Sequence, residues 1–234
     1  MRPFRLANET ALRLCELVAA FAILALLSPM MLVLALVVLI DDGRPVLFRQ
    51  ERIGRHGQPF QIIKFRTMHA GKRKRLPITV KNDVCITRSG AWMRRCKMDE
   101  LPQFFNVLRG EMSLIGPRPE VPEYVQAEDE LWRAVLRSRP GITDLASLAF
   151  RDEEELLQPI EDLDTYYRST LLPAKLRLNV NYQQSRCLSR DFKLLWLTAR
   201  YSLFSRGFDR QQVLQSFGAH QAELAEQHIR SVPA

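Results

Sequence analysis

Residues 17–40, LVAAFAILALLSPMMLVLALVVLI, contain no charged side chain, whereas apolar positions elsewhere recur singly or in short runs. A bilayer core takes about 20 apolar residues in helical form, so the run predicts one membrane-embedded helix. It exceeds the roughly 7–15-residue apolar core of a cleavable leader, and Asp41-Asp42-Gly43-Arg44-Pro45 is no small-x-small cleavage site. Ser28-Pro29 lies at its midpoint, where proline removes a backbone hydrogen bond and kinks or breaks a helix. Each arm then has about 11 residues, roughly 16 Å, or about half the hydrocarbon thickness. Arg2, Arg5 and Arg13 precede the run, and Arg44, Arg49, Arg52 and Arg55 follow it. Positive residues mark the cytoplasmic side, and both flanks qualify. Two placements fit: a re-entrant helix broken at Ser28-Pro29 that returns to one face, and an ordinary kinked span.

Beyond this segment the pattern changes period. In residues 45–68, Val46/Phe48 and Phe60/Ile62 alternate around Gly54-Arg55-His56-Gly57, which predicts a β-hairpin carrying Arg49, Arg52, Lys64 and Arg66 as candidate anion contacts. A loop over 69–83 holds the basic run Lys72-Arg73-Lys74-Arg75, suited to solvent or lipid headgroups. Residues 89–97 predict a short helix presenting Arg94 and Arg95. A second helix is expected to start at an Asp99 N-cap, take Pro102 in its first turn and end at Gly110. Asp99, Gln103 and Asn106 would then share one face. Gly116-Pro117-Arg118-Pro119-Glu120 cannot be helical, and its prolines fix where Arg118 points.

An amphipathic helix is expected over 121–138, ending at Arg139-Pro140-Gly141, and an acidic stretch follows that turns aromatic at Tyr166-Tyr167. Helices are expected over 173–186 and 190–204, the latter placing Phe192, Leu195, Trp196 and Leu197 on a membrane surface or in a core. The fold class is therefore α+β: a mostly helical compact domain with an associated β-hairpin over 44–205. A membrane-embedded segment, 1–43, precedes it, and a helical tail, 206–234, follows.

The 234 residues suffice for one sizeable domain. A net charge of +8 calls for an anionic partner: nucleic acid, an anionic lipid surface or a phosphorylated substrate. Cysteines at 15, 85, 96 and 187 form no CxxC, and the four histidines show no HxxxH, so a zinc site is not indicated. Scattered thiols suit a reducing compartment better than a disulfide framework. The basic run and hairpin arginines would also suit a membrane-tethered nucleic-acid or anionic-lipid binding module, or a non-catalytic envelope scaffold. Neither gives a reason for adjacent carboxylates at 99 and 100.

Such a pair at a helix start ordinarily caps it and favours the first turn, worth about 1–2 kcal/mol. With Arg94, Arg118, Lys64 and Arg66 around it, the pair suits a phosphorylated substrate with a divalent metal. One carboxylate can attack phosphorus while the other holds Mg²⁺. Neighbours on a helix point about 100° apart, so they can divide these tasks.

The segments PVLFRQERIG, FQIIKFRTM, ITRSGAWMRR, MDELPQFFNVLRGEMSLIGPRPE and RPGIT resemble those of the bacterial sugar transferases, the monotopic phosphoglycosyl transferases, over about residues 10–205. The resemblance implies that Asp99 attacks the β-phosphorus of a UDP-sugar, expels UMP and forms an aspartyl-phosphosugar. Glu100 would coordinate Mg²⁺ with the diphosphate. Lys64, Arg66, Arg94, Arg118 and Gln103 would be the substrate-binding residues. A polyprenyl phosphate, undecaprenyl phosphate, would take the sugar phosphate by a ping-pong route that initiates an exopolysaccharide, O-antigen or glycoconjugate. The family's Ser-Pro helix is re-entrant, at the cytoplasmic face of the bacterial inner membrane. Lipids would be partners and nucleic acid would not, with a homodimer left open. With no long extension of further spanning helices, the chain reads as the minimal form. It departs from the resembling pattern at Asp144, in place of a glycine, and at Phe150-Arg151-Asp152. The donor sugar therefore cannot be carried over.

Overall fold

A computed structural model describes residues 3–69, residue 78, and residues 83–204 and 207–218. The Lys72–Arg75 run and the tail beyond residue 218 lie outside the described residues. Helix α1, Pro3–Asp42, runs unbroken through Pro29, contrary to the break expected there. Pro29 has no N–H to offer the Ala25 carbonyl, but the Ser28 hydroxyl donates to that same oxygen at 2.9 Å. The serine thus satisfies the carbonyl that the proline orphans, as membrane helices require.

One face of α1 packs on the rest of the protein. Ala20 is buried with Ile62, Val107 and Met112, while Leu34 and Val38 pack with Phe65 and Met93. The other face leaves Val18, Phe21, Leu26, Val33 and Ile40 exposed. Both ends are tied down. Arg13 donates to the carbonyls of Val107 at 2.5 Å and Met112 at 3.0 Å, and Asp41 accepts from the backbone N–H of Ser89 at 3.0 Å.

Strands β1 (Leu47–Ile53) and β2 (Pro59–Phe65) form the expected antiparallel hairpin, in register from Leu47 opposite Phe65 to Ile53 opposite Pro59. His56 (φ 58°) and Gly57 (φ 75°) turn the chain through the left-handed region, which glycine adopts at little cost. Helix α2 spans Arg88–Arg95, capped by the Thr87 hydroxyl. Helix α3, Gln103–Leu108, is shorter than the helix expected from Asp99, and Asp99 makes no cap. Strand β3 (Ser113–Ile115) pairs in parallel with β4 (Gly141–Thr143), a pairing the sequence did not announce. Their backbones meet so closely that a Cβ on Gly116 would lie 2.2 Å from the Arg139 carbonyl oxygen.

Only Glu130–Val135 of the expected 121–138 helix forms, as α4. Pro122 opens a separate 3₁₀ turn, and the Asp129 carboxylate caps α4 at Leu131 and Trp132, fixing a later start. Short helices α5 (Leu145–Ala149), α6 (Glu153–Leu156) and α7 (Leu163–Tyr166) lead to α8 (Leu172–Gln184), α9 (Leu188–Leu203) and α10 (Arg210–Ser216). Asp144 is buried and accepts from the Ser147 N–H at 2.9 Å, so the departure from glycine there supplies the α5 cap. Leu148, Phe150, Leu176 and Leu194 lie in the main core, and α10 adds Val213 and Leu214 to it.

Asn106 joins these layers. Fully buried, it accepts from the Ile63 N–H at 3.1 Å and donates to the Gln61 carbonyl and Glu111 carboxylate, each at 2.7 Å. Asn106→Ala should cost roughly 2–4 kcal/mol, because buried strand groups lose their partners. A thermal melt of the detergent-solubilised protein should show a fall of roughly 5–15 °C. A shift within about 2 °C would contradict the assigned link.

Candidate active site

The chain reaches the carboxylate pair through an abrupt reversal. After α2, Lys97 takes a left-handed conformation (φ 56°), and Met98–Glu100 forms a single 3₁₀ turn. This turn buries both acids: Asp99 is 7% exposed and Glu100 9%. Lys64 arrives from β2, and Arg118 from the proline-flanked arm after β3. Glu100 Oε1 accepts from Lys64 Nζ at 3.2 Å and from Arg118 Nη2 at 2.7 Å.

The two acids are electrostatically unequal. Burial alone would raise the Glu100 carboxyl, but Arg118, Lys64 and Lys97 outweigh it and hold Glu100 well below the usual carboxylate range. For Asp99, burial and then the Glu100 charge push its pKa up, against the pull of Lys64, Lys97 and Arg94. Asp99 Oδ1 is buried without a hydrogen-bond partner. Glu100 is thus a neutralised anion, and Asp99 presents an unengaged oxygen beside it.

The other expected contacts divide. Arg94 acts on Asp99 through its charge, but its guanidinium is ion-paired with Glu154 of α6. Gln103 is buried at the start of α3, with an unpartnered Nε2. Arg66 is not brought to the carboxylates. Strand β2 ends at Phe65, and Arg66 turns to the end of α1, donating to the carbonyls of Asp42 at 2.6 Å, Gly43 at 2.8 Å and Arg44 at 3.2 Å. It also ion-pairs with Asp42 at 3.1 Å.

A buried polar network behind Arg118 was missed. Glu120 accepts from the Tyr167 hydroxyl at 2.7 Å and faces Arg52 at 3.5 Å, while Lys175 donates to Glu153 at 3.0 Å. Glu100 raises the Arg118 pKa most, and Glu120 and Glu153 add to that effect. The one available signal was the position of Glu120 directly after the Pro-Arg-Pro arm. Lys175 sits in an ordinary helical sequence and gave none.

Among the described residues no three His, Cys, Asp or Glu side chains gather as a protein-only metal cage. Ionised Glu100 and the open Asp99 oxygen are hard donors. They fit Mg²⁺ in its common mode, where one or two carboxylates act together with substrate phosphates.

A long apolar helix lying on an α+β domain, with a buried acidic pair among cations, defines an anion-attracting site next to a hydrophobic face. The chain belongs to the bacterial sugar transferase family, whose model matches residues 7–205. It is 36% identical over 201 residues to the UDP-glucose:undecaprenyl-phosphate glucose-1-phosphate transferase of Caulobacter vibrioides, covering 83% of this chain and 70% of that protein. The protein of the same name from Klebsiella pneumoniae is 33% identical over 84% of this chain, which spans only 41% of it. The exopolysaccharide production protein ExoY of Rhizobium meliloti is 33% identical, with 80% of this chain and 94% of that protein aligned.

Burial, opposed by the attraction of Glu100, lowers the Lys64 ammonium to about 8. The folded protein therefore releases this proton before the unfolded chain does, and its contribution to stability rises between about pH 8 and 10.5. NMR of ¹³C-methylated lysines should show one resonance titrating near pH 8 that is lost in Lys64→Arg. In Glu100→Gln it should titrate lower still, since its counter-charge is gone. Titration of that resonance with the surface lysines would refute the placement.

Proposed function

We propose that the protein is a membrane-bound phosphoglycosyl transferase that moves a sugar-1-phosphate from a UDP-sugar to undecaprenyl phosphate through an aspartyl-phosphosugar on Asp99. The observation that carries this reading is the open, buried Oδ1 of Asp99 beside an ion-paired Glu100. The Asp99 oxygen forms a bond to the β-phosphorus, the bond from that phosphorus to the bridging oxygen breaks, and UMP leaves with the electron pair. An oxygen of the acceptor phosphate then attacks the same phosphorus and frees the carboxylate. One phosphate linkage is exchanged for another, so catalysis reduces to positioning and charge neutralisation.

Arg118 and Arg94 are suited to the phosphate oxygens, Lys64 keeps Glu100 ionised and placed, and the unpartnered Gln103 amide can meet donor. Glu100 would hold Mg²⁺, which when bound supplies further charge neutralisation at the diphosphate. The relatives' names give the substrate class: UDP-glucose and undecaprenyl phosphate for those from Caulobacter and Klebsiella, and N-acetylgalactosamine for one from Aeromonas hydrophila. Relatives at similar identity thus carry different sugars in their names, so the names leave the donor sugar open. The product would open an exopolysaccharide or related glycan pathway, in keeping with the name of ExoY.

The reading includes a re-entrant α1 at the cytoplasmic face, its continuous helix bending at Pro29 so that both ends return to one side. Arg13 and Asp41 are separated by about 42 Å of helix at 1.5 Å per residue, more than the roughly 30 Å hydrocarbon core. Both nevertheless bind the same domain, and the residues between them pack along it. A crossing helix would carry these two ends to opposite faces, with the domain between them in lipid.

Incubation of the enzyme with UDP-sugar and Mg²⁺ alone should release one UMP per protein and add a hexose-phosphate mass to the peptide carrying Asp99. Asp99→Asn and Asp99→Ala should lose both, with turnover down at least about 10³-fold. Wild-type turnover in either variant would end the assignment. For the topology, single cysteines in residues 2–10 and at position 55 should be labelled from the same side in oriented vesicles. Labelling from opposite sides would establish a span.

A further inference from the structure

The acidic segment at the start of α6 is not used by the chemistry above. Its three consecutive acids each hold a cation from a different element. Asp152 pairs with Arg210 of α10, Glu153 with Lys175 of α8, and Glu154 with Arg94 of α2. Helix α6 buries no residue of its own. These ionic contacts hold its acidic end, while Leu156 and the buried Leu157 at its other end pack on the main core.

The three pairs are not equivalent. Lys175 is deeply buried, and Arg210 also donates to the Ala149 carbonyl at 2.8 Å, so the first two pairs suffice to dock the segment. Glu154 is the most site-directed of the three. Its partner Arg94 is one of the cations whose charge acts on Asp99, after Lys64 and Lys97. The pair is also accessible, with side chains 39% exposed at Glu154 and 23% at Arg94. A part-exposed ion pair contributes little on its own, and a diphosphate carries more charge and more acceptor oxygens than one carboxylate.

We propose that Glu154 is a displaceable counter-ion for Arg94. The diphosphate of the nucleotide-sugar takes Arg94 from Glu154 on binding, and departure of UMP returns Arg94 to it. Glu154 is a positioning residue in this scheme. It sets how tightly donor and UMP are held and touches no reacting atom. The inference rests on the reading above that Arg94 contacts donor phosphate.

The test uses full-length enzyme in detergent, with UDP-sugar, Mg²⁺ and undecaprenyl phosphate. It measures donor KM, kcat and the calorimetric affinity for UMP in Glu154→Gln, Glu154→Ala, Arg94→Ala and Arg94→Ala/Glu154→Gln. Removing the competing carboxylate should lower donor KM and tighten UMP by about two- to fivefold, the range that exposed ion pairs command. The melting temperature should stay near wild type in at least one Glu154 variant. Arg94→Ala should raise donor KM, and adding Glu154→Gln to it should change nothing more. An unchanged or raised KM in both Glu154 variants, with Arg94→Ala impaired, overturns the counter-ion role and leaves the function standing. A gain that persists without Arg94 also overturns it. If Arg94→Ala binds donor normally, the assignment of Arg94 to the phosphate falls, and this inference falls with it.

Discussion

Two neighbouring carboxylates cannot both be removed from water and stay charged unless cations accompany them, because desolvation and mutual repulsion both favour protonation. At Asp99-Glu100 the structure meets this constraint asymmetrically. Glu100 receives Arg118 and Lys64, while Asp99 receives only more distant charge. Burying an ion pair is a poor route to stability, since the desolvation of both partners offsets much of their attraction. Its presence here is better explained by the unengaged oxygen it leaves beside it. The asymmetry leaves Asp99 with an oxygen free of hydrogen bonds while Glu100 is held between two cations.

That arrangement requires three separate pieces of chain to converge. The hairpin delivers Lys64, the proline-flanked arm delivers Arg118, and the left-handed Lys97 turns the acids inward. Asn106 fixes α3 to the hairpin, and the close β3–β4 contact fixes the start of the arm. Arg66 and Arg13 hold the two ends of α1 against this assembly, so the long apolar helix and the charge cluster form one unit. Helix α9 divides: Leu194, Leu197 and Tyr201 enter the core, as one of the two expectations had it, while Phe192 and Trp196 remain exposed.

What the sequence made legible follows from where the information was local. The hairpin was readable because strand alternation and a Gly-bounded turn occur within one stretch, and α9 because its apolar residues recur at helical spacing within one segment. The β3–β4 pair was not, since three-residue strands about 28 positions apart have no pattern of their own. The helices expected from Asp99 and from Val121 start later, after competing N-cap positions at Pro102 and Asp129. In the site, Lys64, Glu100 and Arg118 converge as their motif blocks suggested. Arg66 does not, although it lies two residues from Lys64 and would share its face in a longer strand, because the strand stops at Phe65. Glu120, Glu153 and Lys175 escaped notice because isolated charged residues read as solvated until tertiary structure buries them.

The same pairing of charge extends outward from the acids. Glu100 offsets Arg118, Glu120 faces Arg52, Glu153 binds Lys175 and Glu154 binds Arg94. On the proposed reaction, a transferase that exchanges one phosphoanhydride for another gains little from the reaction itself, so it must avoid holding its nucleotide product too firmly. A cluster of bare arginines and lysines would bind UMP as well as it binds donor. Cations that already have carboxylate partners bind phosphate only by giving those partners up, which weakens donor and product alike while leaving the charges in position. The basic character of this chain is therefore tempered around the carboxylate pair, and on the proposed reaction the acidic residues there would share in phosphate handling with the cations.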